Sequence, residues 1–122
     1  MDCPFCSPPG DEVVISNHAG YVRRDRYPVN HGHMLVIPHR HIGGYFQCDE
    51  KEREGLWKLV EEAKGLLDDE ISPDGYNIGI NIGAAAGQTV MHLHIHLIPR
   101  HHGDMDDPRG GVRGVIPDKR IY

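Results

Sequence analysis

The period of the hydrophobic positions changes along this chain, and each change marks an element. Leu56, Val60, Ala63, Leu67 and Ile71 recur every three or four residues, the spacing of one helix face. Asp49 followed by Glu52 is a capping-box pattern ahead of that stripe, and Ser72-Pro73-Asp74-Gly75 stops it, so a helix is expected over 49–71. Gly55 and Gly65 count against it, each costing roughly 1 kcal/mol relative to alanine. Elsewhere the pattern is that of strands. Residues 13–15 and 20–24 read as two short strands around the turn Asn17-His18-Ala19. Residues 32–37 read as a buried strand ended by Pro38. Residues 76–82 alternate Ile78, Ile80 and Ile82 against Asn77, Gly79 and Asn81, and residues 90–98 form a last strand closed by Pro99. Two stretches have no period: residues 1–11, rich in Cys, Pro and Gly, read as a knuckle, and residues 100–122, rich in Gly, Pro and Arg, as an irregular arm with few contacts of its own. Short strands, one long helix and further strands suggest an α+β fold with an antiparallel sheet, in one domain spanning 1–122.

Composition narrows the function more than the fold. The chain has 122 residues, 39% hydrophobic and 25% charged, which is enough to bury a core without disulfide staples. A net charge of −5 argues against a general nucleic-acid or membrane-surface binder, and no apolar run is long enough to span a bilayer. The opening MDCPFC lacks the layout of a signal peptide, so a cytoplasmic location is expected. Three cysteines are an odd number, and Cys3-x-x-Cys6 in a reducing compartment suggests metal or redox work rather than a structural disulfide.

The candidate chemistry concentrates in His92-Leu93-His94-Ile95-His96. If this is a strand, the three imidazoles share one face, with Leu93, Ile95 and Leu97 on the other. Such a row suits either a zinc held by all three histidines or a nucleophile with neighbours. The loop just upstream, Gly87-Gln88-Thr89, offers backbone N–H groups, an amide and a hydroxyl suited to phosphate oxygens.

His92-Leu93-His94-Ile95-His96-Leu97-Ile98 resembles the defining motif of the histidine-triad (HIT) family of nucleotide hydrolases and transferases. Gly32-His33-Met34-Leu35-Val36-Ile37-Pro38 followed by Arg40-His41-Ile42 resembles the family's glycine–histidine strand. Asn81 and Gly87-Gln88-Thr89-Val90 resemble its phosphate-side loop. The resemblance implies a HIT-like fold, an antiparallel sheet of about five strands with one long helix and a short one, and a homodimer formed through the helix and a strand that extends the sheet. It implies that His94 is the nucleophile at the α-phosphorus, that His96 is the phosphate-side histidine, and that His33 completes the catalytic cluster. It assigns Asn81, Gly87, Gln88, Thr89 and His96 to the phosphates and Asp25 to the ribose of a nucleotide substrate, expected to be adenosine-type. In bacterial-type members with a CxxC, a structural zinc is held by that pair, a histidine after the glycine–histidine strand and the first triad histidine, here Cys3, Cys6, His41 and His92. His39 is a competitor for His41. The chain departs from relatives at Asn30-His31, where they often carry proline. Arg109 and Arg113 in the arm are candidates for phosphate-facing cations that reach across a dimer. Two other readings stay open: a metallohydrolase with all three histidines on one zinc, and a non-catalytic nucleotide-binding module.

Overall fold

The computed structural model describes residues 3–122, and among these five strands form one antiparallel sheet. They are β1 (Ile15–Ser16), β2 (Gly20–Arg24), β3 (Met34–Pro38), β4 (Gly75–Gly79) and β5 (Ile95–Arg100), in the spatial order β1-β2-β3-β5-β4. The one α-helix, α1, runs over Glu50–Ile71. It starts where the capping pattern said it would. The Asp49 carboxylate accepts the Glu52 N–H at 2.8 Å and the Glu52 carboxylate accepts the Asp49 N–H at 3.0 Å. Ser72 ends it in a left-handed conformation with φ +46°.

The stripe of α1 packs on one sheet face. Leu56, Leu59, Val60, Ala63 and Leu67 are buried there against Val22, Met34, Val36, Ile95 and Leu97. Gly55, a cost to the isolated helix, is needed by this packing, since a Cβ would lie 2.5 Å from that of Ala19. The short helical elements are 3-10 turns, among them Gly10–Glu12, Tyr45–Gln47 and Ala84–Ala86.

The opposite sheet face carries the chemistry. Register sets Arg23 beside Leu35 and Leu35 beside His96, so these three share it. Phe5, Tyr21, Leu35 and Ile37 make a second, smaller apolar cluster there. With both faces covered, β3 is a continuous apolar run buried along its length, and β2 is buried from Gly20 to Arg23.

Three expectations need correction. The last strand begins at Ile95 rather than residue 90, because the Leu93 N–H bonds to the Ile42 carbonyl at 2.8 Å and the pairing with β3 starts at Ile95. The strand expected over 76–82 runs instead over Gly75–Gly79, so Ile80 and Ile82 lie beyond it, and Ile78 is exposed at the sheet edge. The arm is not poor in contacts. It holds 3-10 turns at Gly111–Val115 and Pro117–Lys119, closed by Arg120 donating to the carbonyls of Asp107 and Arg109. Gly110 is required by this hook. Its φ is +88°, and a Cβ would collide with the Arg120 carbonyl oxygen. Among the described residues no helix is long and apolar enough to cross a membrane.

Candidate functional site

Two clusters of titratable side chains flank His94. The first joins the knuckle to the body of the protein. A turn closed by the Cys6 N–H on the Cys3 carbonyl brings both thiols to the same side, and both cysteines are free. Cys3, Cys6, His41 and His92 each offer one ligand atom, all within 4.8 Å of one another. Cys3 Sγ lies 3.3 Å from His92 Nδ1, Cys6 Sγ 3.1 Å from His41 Nδ1, and the two Nδ1 atoms are 3.1 Å apart. Bond lengths of about 2.05 Å to nitrogen and 2.3 Å to sulfur set tetrahedral edges of about 3.3 Å for N···N and about 3.6 Å for N···S, so this donor set fits a four-coordinate ion.

The far nitrogen of His92 supports that fit. His92 is fully buried, and its Nε2 donates to the Pro38 carbonyl at 2.9 Å. A carbonyl can only accept, so Nδ1 keeps its lone pair toward the thiols, as in metal-bound histidines whose other ring N–H is held by a backbone carbonyl. Burial lowers the His92 pKa, against a smaller rise from the Pro38 carbonyl, which favours the neutral ring a ligand must be. His39 is not part of the cluster; its Nε2 bonds to the Asn17 carbonyl.

The second cluster is Asp25, His33 and His96. Here the backbone acts with the opposite sign. The Val29 N–H donates to His33 Nδ1 at 3.0 Å, so the proton of neutral His33 sits on Nε2. That Nε2 is 3.0 Å from His96 Nδ1, which must accept, and the proton of neutral His96 therefore sits on its own Nε2. Asp25 lies 3.4 Å from His33 Nε2 and accepts the Tyr27 N–H. Burial lowers the His33 pKa, with Asp25 opposing. Burial, reinforced by His94 and His33, pushes His96 down to about 4.

His94 belongs to neither cluster. Its Nδ1 donates to the His92 carbonyl at 2.8 Å, which leaves the Nε2 lone pair available. Its ring packs against Phe5, with centroids 5.1 Å apart, and against His96, also at 5.1 Å. His92 Nδ1 faces the thiols, His94 Nδ1 the backbone and His96 Nδ1 His33, so the three rings do not converge as ligands of one ion.

The remaining candidates are spread wider. Asn81 lines a cavity of about 500 Å³ that also contains His33 and His96. Gly87 is exposed with φ +94°, and Thr89 is exposed. Gln88 is buried and spends its side chain on the loop, accepting the Gly83 N–H and donating to the Gly43 and Val90 carbonyls. His31 is exposed beside Asp25. Arg109 pairs with Asp107, and Arg113 donates to the carbonyls of Lys119 and Arg120, so neither of these arm cations lines that cavity.

Sequence reasoning missed the residues that hold the knuckle down. The Tyr21 hydroxyl donates to the Phe5 carbonyl at 2.5 Å. Arg23 is buried, pairs with Glu12 at 3.0 Å and reaches the Pro4 carbonyl. A Tyr-x-Arg pattern in a short strand carries no signal for this. The only available hint was a charged side chain on a strand that otherwise reads as buried.

Comparison with known proteins finds relatives of one family. The HIT domain family model matches residues 9–103. The AP-4-A phosphorylase of Mycobacterium tuberculosis is 32% identical over 93 residues, covering 75% of this chain and 48% of that protein, so the chain spans about half its length. The bis(5'-adenosyl)-triphosphatase of Dictyostelium discoideum is 30% identical over 96 residues, covering 79% of this chain and 64% of that one. Among solved structures, a Zn-bound histidine triad family protein from Mycobacterium smegmatis superposes with a TM-score of 0.75 at 31% identity, covering 85% of this chain and 78% of that one.

Proposed function

This chain belongs to the HIT domain family, and from that premise we propose that it is a hydrolase cleaving adenosine-type nucleotides at the α-phosphate through a nucleotidyl-histidine on His94. The observation that carries this reading is the bond from His94 Nδ1 to the His92 carbonyl, which leaves Nε2 as the free, nucleophilic nitrogen. His94 Nε2 attacks phosphorus, the P–Nε2 bond forms, and the bond to the leaving group breaks. His96, whose ring packs beside that of His94, carries its proton on Nε2 and is neutral near pH 7 when no ligand is bound. Its Nδ1 accepts from His33, so it keeps this neutral form and holds the phosphate through Nε2–H, while the departing atom takes its proton from water. The water that gave this proton then attacks phosphorus, the P–Nε2 bond breaks, and the nucleoside monophosphate leaves a neutral His94. His33 holds the His96 tautomer, and Asp25 is the carboxylate assigned to the ribose hydroxyls. Asn81, Gly87 and Thr89 are proposed to serve the phosphates, with Gln88 shaping their loop.

Zinc is the proposed ion for Cys3, Cys6, His41 and His92. Two thiolates and two imidazoles suit zinc, and all four positions filled by protein make the role structural. When bound, zinc supplies a cross-link from the knuckle to the segment carrying His94, and no Lewis acid for the reaction. A homodimer is proposed through α1 and the edge strand β4, where Trp57 and Ile78 are exposed. A cytoplasmic location accords with two free thiols in the knuckle.

The test is brief incubation with an adenosine phosphoramidate and with diadenosine triphosphate, followed by acid quench and intact mass. An adenylyl adduct on wild type that is absent from His94→Ala is the expected result. No adduct and no turnover on either substrate would remove the hydrolase reading and leave a nucleotide-binding module.

A further inference from the structure

His94 has little support from the sheet. β5 begins at Ile95, so among the described residues no ladder partner fixes the backbone that carries this imidazole. The side chain is half-buried, and its one hydrogen bond among the described residues runs from Nδ1 to the His92 carbonyl. A single bond of this kind has a modest net worth where water can compete for both partners. Turning the ring over about its Cβ–Cγ bond would break it, move Nε2 and release the tautomer.

What lies against this ring comes from the far end of the chain. Phe5 sits between Cys3 and Cys6, and its ring meets that of His94 with centroids 5.1 Å apart and planes inclined at 62°. It also stands perpendicular to the His92 ring at 5.9 Å. Phe5 is buried in the smaller apolar cluster with Tyr21, Leu35 and Ile37. Its place is fixed by polar contacts as well. Its carbonyl accepts from the Tyr21 hydroxyl at 2.5 Å, and the Pro4 carbonyl accepts from Arg23 at 3.4 Å. The Arg23 guanidinium lies 6.0 Å from the Phe5 ring centre and pairs with Glu12 at 3.0 Å. A buried arginine is costly unless its donors are used. Here they are used on Glu12 and on the backbone next to Phe5, so β2 holds the phenyl ring against the imidazole.

Resting on the hydrolase reading, we infer that Phe5 is a positioning residue for the reaction, whose ring keeps the His94 imidazole in the orientation that bonds Nδ1–H to the His92 carbonyl and presents Nε2 to phosphorus. Phe5 offers no charge and no side-chain hydrogen bond. It acts by filling the space into which the ring would turn and by keeping water from the Nδ1 bond. The knuckle then has a task besides carrying Cys3 and Cys6: it supplies the wall of the nucleophile.

The test compares wild type, Phe5→Ala and Phe5→Leu as full chains, with metal content and melting temperature measured for each. Long-range nitrogen–proton NMR of the ligand-free proteins reads the His94 ring. Wild type is expected to show the proton on Nδ1 of His94, and Phe5→Ala a mixture of both tautomers, with His33 unchanged. Single-turnover hydrolysis of adenosine 5'-phosphoramidate, with enzyme in excess, separates chemistry from binding. At saturating enzyme the rate constant is expected to fall on the order of ten- to a hundred-fold in Phe5→Ala, the scale of a misplaced reacting group. The enzyme concentration giving half that rate stays near the wild-type value. Phe5→Leu, which keeps the apolar cluster filled, lies between wild type and Phe5→Ala in rate. If Phe5→Ala loses its metal, Phe5→Leu with full metal decides, and a wild-type rate with an unmixed His94 overturns the inference. Weaker half-saturation with an unchanged rate constant overturns it too, because Phe5 would then contact substrate rather than position His94. No turnover by wild type overturns the hydrolase reading, and the ring measurement then decides the hold of Phe5 on His94 by itself.

Discussion

Cys3, Cys6, His41 and His92 form one compact group, and Asp25, His33 and His96 form another; in each, the potential ligand atoms lie within 4.8 Å. Composition alone would allow a metal in either. What separates them is the backbone group touching the far side of one ring. At His92 that group is the Pro38 carbonyl, which fixes a proton on Nε2 and turns a bare Nδ1 toward two thiols. At His33 it is the Val29 N–H, which occupies Nδ1 and forces the proton onto Nε2, in the space an ion would need. One cluster has the hydrogen bonds of a ligand set that could hold a cation, and the other is arranged around a shared proton. The lesson is that ligand-type residues do not define a metal site until the hydrogen bonds behind them are known.

The sharpest way to break this contrast is to disable each cluster in turn. His41→Ala should lose the bound metal and lower the melting temperature by more than about 10 °C, since structural zinc contributes folding free energy directly. Metal analysis and calorimetry read this out. His33→Ala should retain the metal and melt within a few degrees of wild type, while kcat/KM falls on the order of a hundred-fold through the loss of the His96 tautomer. If His33→Ala also released the metal, the two clusters would be one site and the contrast would fail.

A smaller effect concerns pH. The His96 pKa drops from 6.5 to about 4 on folding, chiefly through burial. Between those values the unfolded chain binds more protons, so stability rises with pH. This contribution is complete above pH 6.5 and is lost as pH falls through about 4. It amounts to no more than about 3 kcal/mol, and less once solvent screening of the partly exposed ring is allowed for. Melting curves from pH 7.5 to 4 should show the decline, and His96→Gln should flatten it. The finest test involves no substitution. Long-range nitrogen–proton NMR should report the ring proton on Nδ1 for His94 and on Nε2 for His33, His92 and His96. A Nδ1 proton on His33 would contradict the account of the second cluster.

The fold was largely legible because burial sets periodicity. The α1 stripe, its capping box and the core faces of β2, β3 and β5 follow from residue type and spacing. The strand ends were less so. The Leu93 N–H chooses the Ile42 carbonyl over a strand partner, and nothing in the residue type of leucine announces that. Cys3 and Cys6 stood out by their spacing, but the full set of four was named by resemblance to relatives, since it comes from three distant segments. The arm was misread because its order comes from arginine side chains bonded to backbone carbonyls. Such bonds leave no hydrophobic period.

By itself, the sequence determined which side chains could do chemistry and which faces would be buried, because those depend on residue identity and on the two repeats of 3.6 and 2. Only the tertiary structure decided which ring nitrogen of each imidazole carries the proton. Protonation and ligation depend on what lies behind the ring, and behind His92, His33 and His94 lie the Pro38 carbonyl, the Val29 N–H and the His92 carbonyl. Every residue has a backbone carbonyl and all but proline an N–H, so no pattern of letters distinguishes the ones that folding brings within about 3 Å of a histidine.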